Sequence, residues 1–200
     1  MDIKFADTFG DSIKTLIGHN TWSRNKTYKL FRYDLPRFFK NVWRFRSALW
    51  NHYWWDHHGS LEFLQISLTH TSDNIEKHGS EVDESRLKKV EKMRRAVQLI
   101  KNYREDLYID MAETELGELV LHEWEFEPSP DNPEYSQMID KDTPEEKEHN
   151  MKVYKRAREI EKQEWNELFQ ILKGQDYAKF NKKTDWNKQF DGTGLRGWWD

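Results

Sequence analysis

Between Asp83 and Trp124 the apolar residues Leu87, Val90, Val97, Ile100, Leu107 and Met111 recur at the spacing of one helical face. The pattern predicts a single helix of more than thirty residues. A helix longer than about 25 residues needs a partner along its length, so the stripe implies a helical hairpin or a subunit interface. Asp34-Leu35-Pro36 predicts a first helix to about Trp50, with Asp34 as cap and Phe38, Val42, Phe45 and Leu49 as a buried stripe. A second helix starts between Asp56 and Ser60, carries Leu61, Leu64, Leu68 and Ile75, and ends at His78-Gly79, where glycine suits a left-handed cap. Thr143-Pro144-Glu145-Glu146 has the form of a capping box. It opens a fourth helix with Val153, Ala157, Ile160, Leu168 and Ile171 or Leu172 inward, closed by Gly174.

The fold class read from these patterns is all-α, a helical bundle with one very long helix. Residues 1–35 form an irregular N-terminal arm, residues 36–174 the helical body with an acidic, proline-containing loop at 127–142, and residues 175–200 an aromatic C-terminal tail. The core must be aromatic in part. Leu, Ile, Val and Phe make up only 43 of 200 residues, and ten Trp and eight Tyr supply the remaining apolar area. The tail alone holds Tyr177, Phe180, Trp186, Phe190, Trp198 and Trp199, which need a surface on the same chain or on a neighbouring subunit. No apolar run is long enough for a membrane span, and Met1-Asp2-Ile3-Lys4 lacks a signal-peptide pattern, so the expected location is the cytoplasm. The absence of cysteine fits that compartment and excludes disulfides, thiolate metal sites and a cysteine nucleophile.

Charge is distributed in blocks. Residues 20–50 carry eight basic side chains against Asp34 alone, a formal +7, whereas residues 105–150 carry sixteen acids against Lys141 and Lys147, a formal −14. Such halves can neutralise each other within or between chains, or offer a basic face to phosphates. The acidic block repels a long polyanion, which favours a small anionic ligand over extended nucleic acid.

Most motifs that could carry chemistry are weak. Gly192-Thr193-Gly194-Leu195-Arg196-Gly197 matches a dinucleotide-binding fingerprint in letters, but no helix can follow it within the three residues that remain. It reads better as a clasp that places Arg196 and Trp198 over another surface. His52, Asp56, His57 and His58 are metal-ligand types that His122 could complete, yet their spacing matches no known metal signature, and structural histidines packed on tryptophan are the plainer account. No serine lies in a nucleophile elbow. The segment from Arg32 to His58 is more informative because it interleaves cations with flat rings, the mixture that clamps phosphate and stacks on bases. Its candidate ligand-binding residues are Arg37, Arg44 and Arg46 for phosphate, Trp50, Trp54 and Trp55 for stacking, and His52 and His57 for further hydrogen bonds. The competing account is a packed helix whose aromatics fill the core and whose arginines pair with the acidic block.

The run Pro36 to Arg46, followed by Trp50, Trp54-Trp55-Asp56 and the Arg86 to Ala112 helix, resembles small helical proteins encoded by tailed bacteriophages. The likeness covers residues 32–112. Phage accessory proteins of this size and character include proteins that sequester nucleotide signals made by bacterial immune systems, and the resemblance implies such a counter-defence role. The expected function is therefore non-catalytic binding of a small nucleotide-derived, phosphorylated ligand by a homo-oligomer, with no cofactor, no metal, no membrane and no extended nucleic acid. Two alternatives stand beside it: a protein that blocks a host protein through its acidic surface, and a metal-dependent phosphoesterase using His52 and Asp56.

Overall fold

The computed structural model describes residues 29–53, 55–130, 132 and 134–198. Residues 1–28 of the expected arm lie outside them. The described residues are mostly helical, with seven α-helices and one antiparallel strand pair, and the chain divides between residues 53 and 54 into two units.

In the first unit a π-helical turn, Leu30–Asp34, runs directly into α1 (Leu35–Arg44), and α2 (Arg46–Trp50) follows. Asp34 is not the expected cap. A cap residue must leave helical geometry, whereas Asp34 is itself helical and its carboxylate pairs with Arg37 at 2.8 Å. The helix also breaks at Phe45, and a stripe keeps to one side only while a helix is continuous. The predicted buried face is accordingly not buried: Phe38, Val42 and Leu49 are exposed, and Ala48 is the one buried residue of the described part of this unit.

The second unit begins with α3 (His57–His78), capped by Asp56, whose Oδ1 accepts the His58 N–H at 2.9 Å. Gly79 ends α3 in extended rather than left-handed backbone. Its missing Cβ still matters, because a side chain there would strike the Ile75 carbonyl that its own N–H bonds. The long helix predicted from Asp83 to Trp124 is two helices, α4 (Asp83–Arg104) and α5 (Tyr108–Leu116). The break falls at Asp106, which adopts φ +51°, and the Leu107 N–H reaches back to the Asn102 carbonyl. Aspartate tolerates that left-handed geometry better than most residues. The turn lets Tyr108 and Ala112 bury against Val153 and Ala157 of the next helix, which continuous helix would not permit.

Strands β1 (Glu125–Pro128) and β2 (Ser136–Ile139) pair within the segment expected to be loop, in register from Glu125 opposite Ile139 to Pro128 opposite Ser136. The longest helix is α6 (Pro144–Lys173), thirty residues, opened by the predicted capping box and closed by Gly174 at φ +73°. Thr143 Oγ1 accepts the Glu146 N–H at 3.2 Å, while the Glu146 carboxylate accepts the Thr143 N–H at 2.7 Å. Val153, Ala157, Leu168 and Ile171 are buried as its pattern requires.

The main core joins α3, α4 and α6 through Leu68, Ile75, Val90, Met93, Ala96, Leu99, Ile100, Leu168 and Ile171. Trp198 completes it from the far end of the chain. The tail therefore docks on its own body. The glycine-rich motif has a packing role: Gly192, at φ +85°, lies so close to the Lys88 backbone that a Cβ would collide with it. Its carbonyl accepts the Trp198 indole N–H at 2.8 Å, and the Gly194 N–H bonds the Ile171 carbonyl at 2.8 Å. A short helix, α7 (Trp186–Gln189), lies between α6 and this motif.

Across the core, Arg95 of α4 forks onto Glu167 of α6 at 2.8 and 2.6 Å, and the guanidinium holds the Glu167 carboxyl below the usual carboxylate range. A depressed folded-state pKa adds stability in full above the unfolded value of about 4.3, and that stability is lost as pH falls through the lower folded value. Melting temperature should therefore be flat above pH ~5 and fall below it. Glu167→Gln should melt lower at neutral pH and show a shallower acid limb, measured by circular dichroism across pH.

Candidate functional site

The predicted ligand residues do not assemble into one site within either unit. Arg37, Arg44, Arg46, Trp50 and His52 belong to the first unit, Trp55 and His57 belong to the second, and Trp54 lies outside the described residues. The cations of the first unit are held locally: Arg37 by Asp34, Arg44 by the Asn41 side chain at 3.2 Å, and Arg46 by the Trp43 carbonyl at 2.8 Å. The Arg46 guanidinium also lies 4.4 Å from the centre of the Trp43 ring, a cation–π contact. Phe39, Trp43 and Trp50 are 65, 71 and 88% exposed. The account in which these aromatics fill a core is thus corrected by their exposure.

The acidic block is also neutralised in part within its own unit. Glu115 pairs with Arg156, Glu125 with Lys141, Asp140 with Lys147 and Glu148 with Lys152. Arg156 and Lys147 come from α6, so this helix brings cations to an acid of α5 and to Asp140 after the second strand.

A better-formed site lies where the tail crosses the start of α4. Ser85 on the first turn of α4 donates to the Asn187 side chain, and Lys88 reaches the Asn187 carbonyl, so two side chains fix α7 against α4. The Gln175 side chain ties Gln189 and Asp191 back to the end of α6. An open cavity of about 470 Å³ is left between them, lined by Glu81, Ser85 and Lys89 on one side and by Tyr177, Trp186, Phe190 and Arg196 on the other. That volume lies within the ~300–1,000 Å³ usual for small-molecule sites.

The aromatic wall is rigid by mutual packing. Trp186 stacks on Phe190 with 5.8 Å between ring centres and 19° between planes, and Tyr177 and Phe180 abut Trp186 at 5.1 and 4.9 Å. Phe190 is buried, whereas Trp186 and Tyr177 are nearly half exposed and line the opening. Burial, with Asp191 nearby, raises the Tyr177 hydroxyl above its ordinary pKa, so it remains a neutral donor. Opposite, the buried ammonium of Lys89 pairs with Glu81 Oε1. Glu81 Oε2 is shielded from solvent and accepts no hydrogen bond from a described residue. Such an oxygen favours a donor strongly, since leaving it unmet costs ~1–3 kcal/mol or more for a charged group. Arg196 is exposed at the rim and makes no ion pair with a described residue.

A second hollow, of about 490 Å³, lies between α4, α5 and α6, but its two arginines, Arg95 and Arg156, are already held by Glu167 and Glu115. The tail cavity alone of these two combines an aromatic wall with a cation, Arg196, that makes no ion pair with a described residue. No known protein family, curated protein or solved structure matches this chain. The site must therefore be read from its own chemistry.

Sequence patterns reached this site only from one side. The density of tail aromatics and the clasp motif marked Trp186, Phe190 and Arg196, but Glu81 is one acid among 36 and carries no local signal. Because Glu81 shares a buried ion pair with Lys89 while Arg196 is exposed, their substitutions should separate. Glu81→Ala should cost ~1–3 kcal/mol of stability and Arg196→Ala less than ~0.5 kcal/mol, as read by urea denaturation.

Proposed function

We propose that this protein binds a small phosphorylated, nucleotide-like ligand in the tail cavity without transforming it. In the phage setting that the sequence resemblance implies, it acts by holding a nucleotide signal out of circulation. One observation carries the reading: the cavity joins an aromatic wall to an exposed guanidinium that makes no ion pair with a described residue. A purine-type base stacks on the exposed part of Trp186, and its phosphate meets Arg196 at the rim. With one anion and two cations in the lining, the site carries a formal +1, which suits a ligand that is aromatic and anionic at once. Turnover has no support in the lining. Ser85 donates to Asn187 rather than to a base, and the Lys89 side chain is paired with Glu81.

A second reading concerns assembly. The exposed rings of Phe39, Trp43 and Trp50 sit among arginines, and a face of that kind fits the acidic 105–150 segment of a second copy. Self-association through it explains why so much aromatic area is presented to solvent.

Calorimetric titration against a panel of mono-, di- and cyclic nucleotides tests the first reading, with recovery of intact ligand by chromatography. Trp186→Ala and Arg196→Ala should each weaken binding by about one to two orders of magnitude, from a stacking contribution of ~1–3 kcal/mol and a charged hydrogen bond of ~1.5–3 kcal/mol. Arg44→Ala should leave affinity unchanged. Loss in Arg44→Ala with none in Arg196→Ala would return the ligand to the 37–58 segment, and recovery of product in place of ligand would make the protein an enzyme.

For assembly, light scattering at low salt should report a mass above 24.4 kDa that falls towards the monomer as salt is raised or when Trp43 is replaced by Glu. A monomer at every salt concentration removes this second reading.

A further inference from the structure

Apart from the cavity, a second cluster of chemistry-bearing side chains stands at the start of α3. Asp56, His57 and His58 are consecutive, and each presents one ligand atom so that all three lie within 4.8 Å of one another. We propose that these residues form a binding site for a first-row divalent metal ion of the zinc, cobalt or nickel type.

The argument begins with how the helix start places them. Asp56 is the cap of α3, and its Oδ1 is occupied by the His58 N–H at 2.9 Å. Its Oδ2 accepts no hydrogen bond from a described residue and remains a ligand. His57 and His58 occupy the first two helical positions, and their rings lie 4.5 Å apart, centre to centre. Two imidazoles and one carboxylate are a donor set for borderline metals rather than for calcium or magnesium, which prefer oxygen alone.

Tyr103 of α4 supplies the orientation that a metal-binding histidine needs. The Tyr103 hydroxyl lies 2.9 Å from His57 Nε2, and the Tyr103 ring stacks on His58 with 23° between planes. Trp165 of α6 backs the Tyr103 ring from 4.9 Å, so the platform belongs to the packed body. When His57 Nε2–H donates to the tyrosine oxygen, Nδ1 is left unprotonated with its lone pair free for the metal. Hydrogen bonding of the distal ring nitrogen is the usual way a protein fixes the ligating tautomer. The positive end of the α3 dipole opposes a cation, but one coordinating carboxylate offsets it locally. Three protein ligands leave coordination positions open to solvent, because His57 is exposed and the other two are half buried. The sequence groups His52, Asp56, His57 and His58 as metal-ligand types; the set whose ligand atoms come together is Asp56, His57 and His58.

Titration of the full chain with Co²⁺, followed by its visible absorption and by calorimetry, tests the assignment directly. One equivalent should bind, with bands shifted from those of the aqueous ion, and Zn²⁺ should displace it. Asp56→Ser keeps a capping hydroxyl while removing the carboxylate ligand, so it should retain the helical melt and lose affinity about tenfold or more. His58→Gln should do the same. Tyr103→Phe should weaken binding about tenfold through lost orientation alone and leave the stoichiometry at one. Absence of a shifted cobalt spectrum at equimolar metal overturns the proposal. Equal affinity in Asp56→Ser and His58→Gln also overturns it, since the metal would then be held by other histidines. Nucleotide affinity in these variants should match the parent chain, so failure here leaves the cavity reading standing and the converse also holds.

Discussion

Burial of Trp198 is the contact on which the second unit depends. The helices α3, α4 and α6 bring short or aliphatic side chains to their shared interior, and a chain with so few aliphatics leaves that interior short of apolar area. The last tryptophan of the described chain fills it. To reach that position the tail must approach α4 within backbone contact, and Gly192 at positive φ makes the approach possible. Core completion and closure of the tail are thus one event.

The cavity follows from that closure. Once Trp198 is inside and the Gly194 N–H is bonded to the end of α6, the intervening aromatics can only stand upright over the start of α4. Tyr177, Phe180, Trp186 and Phe190 pack on one another and form one wall of the cavity. Arg196 sits two residues before the buried tryptophan and is held at the rim by the same turn. The ligand site proposed here is a consequence of how an aromatic tail is anchored at both ends, which also explains why it lies far in sequence from the richest run of arginine and tryptophan.

Charge is managed at short range throughout. The −14 block draws cations from the neighbouring α6, and in the +7 block Arg37, Arg44 and Arg46 are held on Asp34, Asn41 and the Trp43 carbonyl. The polar seam between α4 and α6, where Glu167 takes Arg95 and Glu164 takes the Asn102 amide, joins these two core helices without a ligand. The aromatic platform of Tyr103 and Trp165 continues that seam to the start of α3, and the histidine–aspartate cluster rests on it.

Local rules were legible in the residues themselves. The capping box at Thr143, the glycine stop at Gly174 and the inward face of α6 depend on neighbours within a few positions and can be read from spacing, whereas spacing left the start of α3 open between Asp56 and Ser60 and put the exposed Leu87 on the inward stripe of α4. Spacing failed where a single backbone torsion changed the outcome. Asp106 at φ +51° divides a stripe that is helical in pattern on both sides, and burial of Tyr108 and Ala112 favours that torsion only because α6 is there to receive them. The break at Phe45 likewise leaves the apolar face of the first helix exposed although its period is sound. Glu81 and Arg196 line one cavity and His57 meets Tyr103, placements that no local period encodes. Helices were determined by short-range hydrogen bonding and side-chain period; the sites were decided by packing, because only the burial of Trp198 and the close approach of helices brings residues distant in the chain to the same few ångströms.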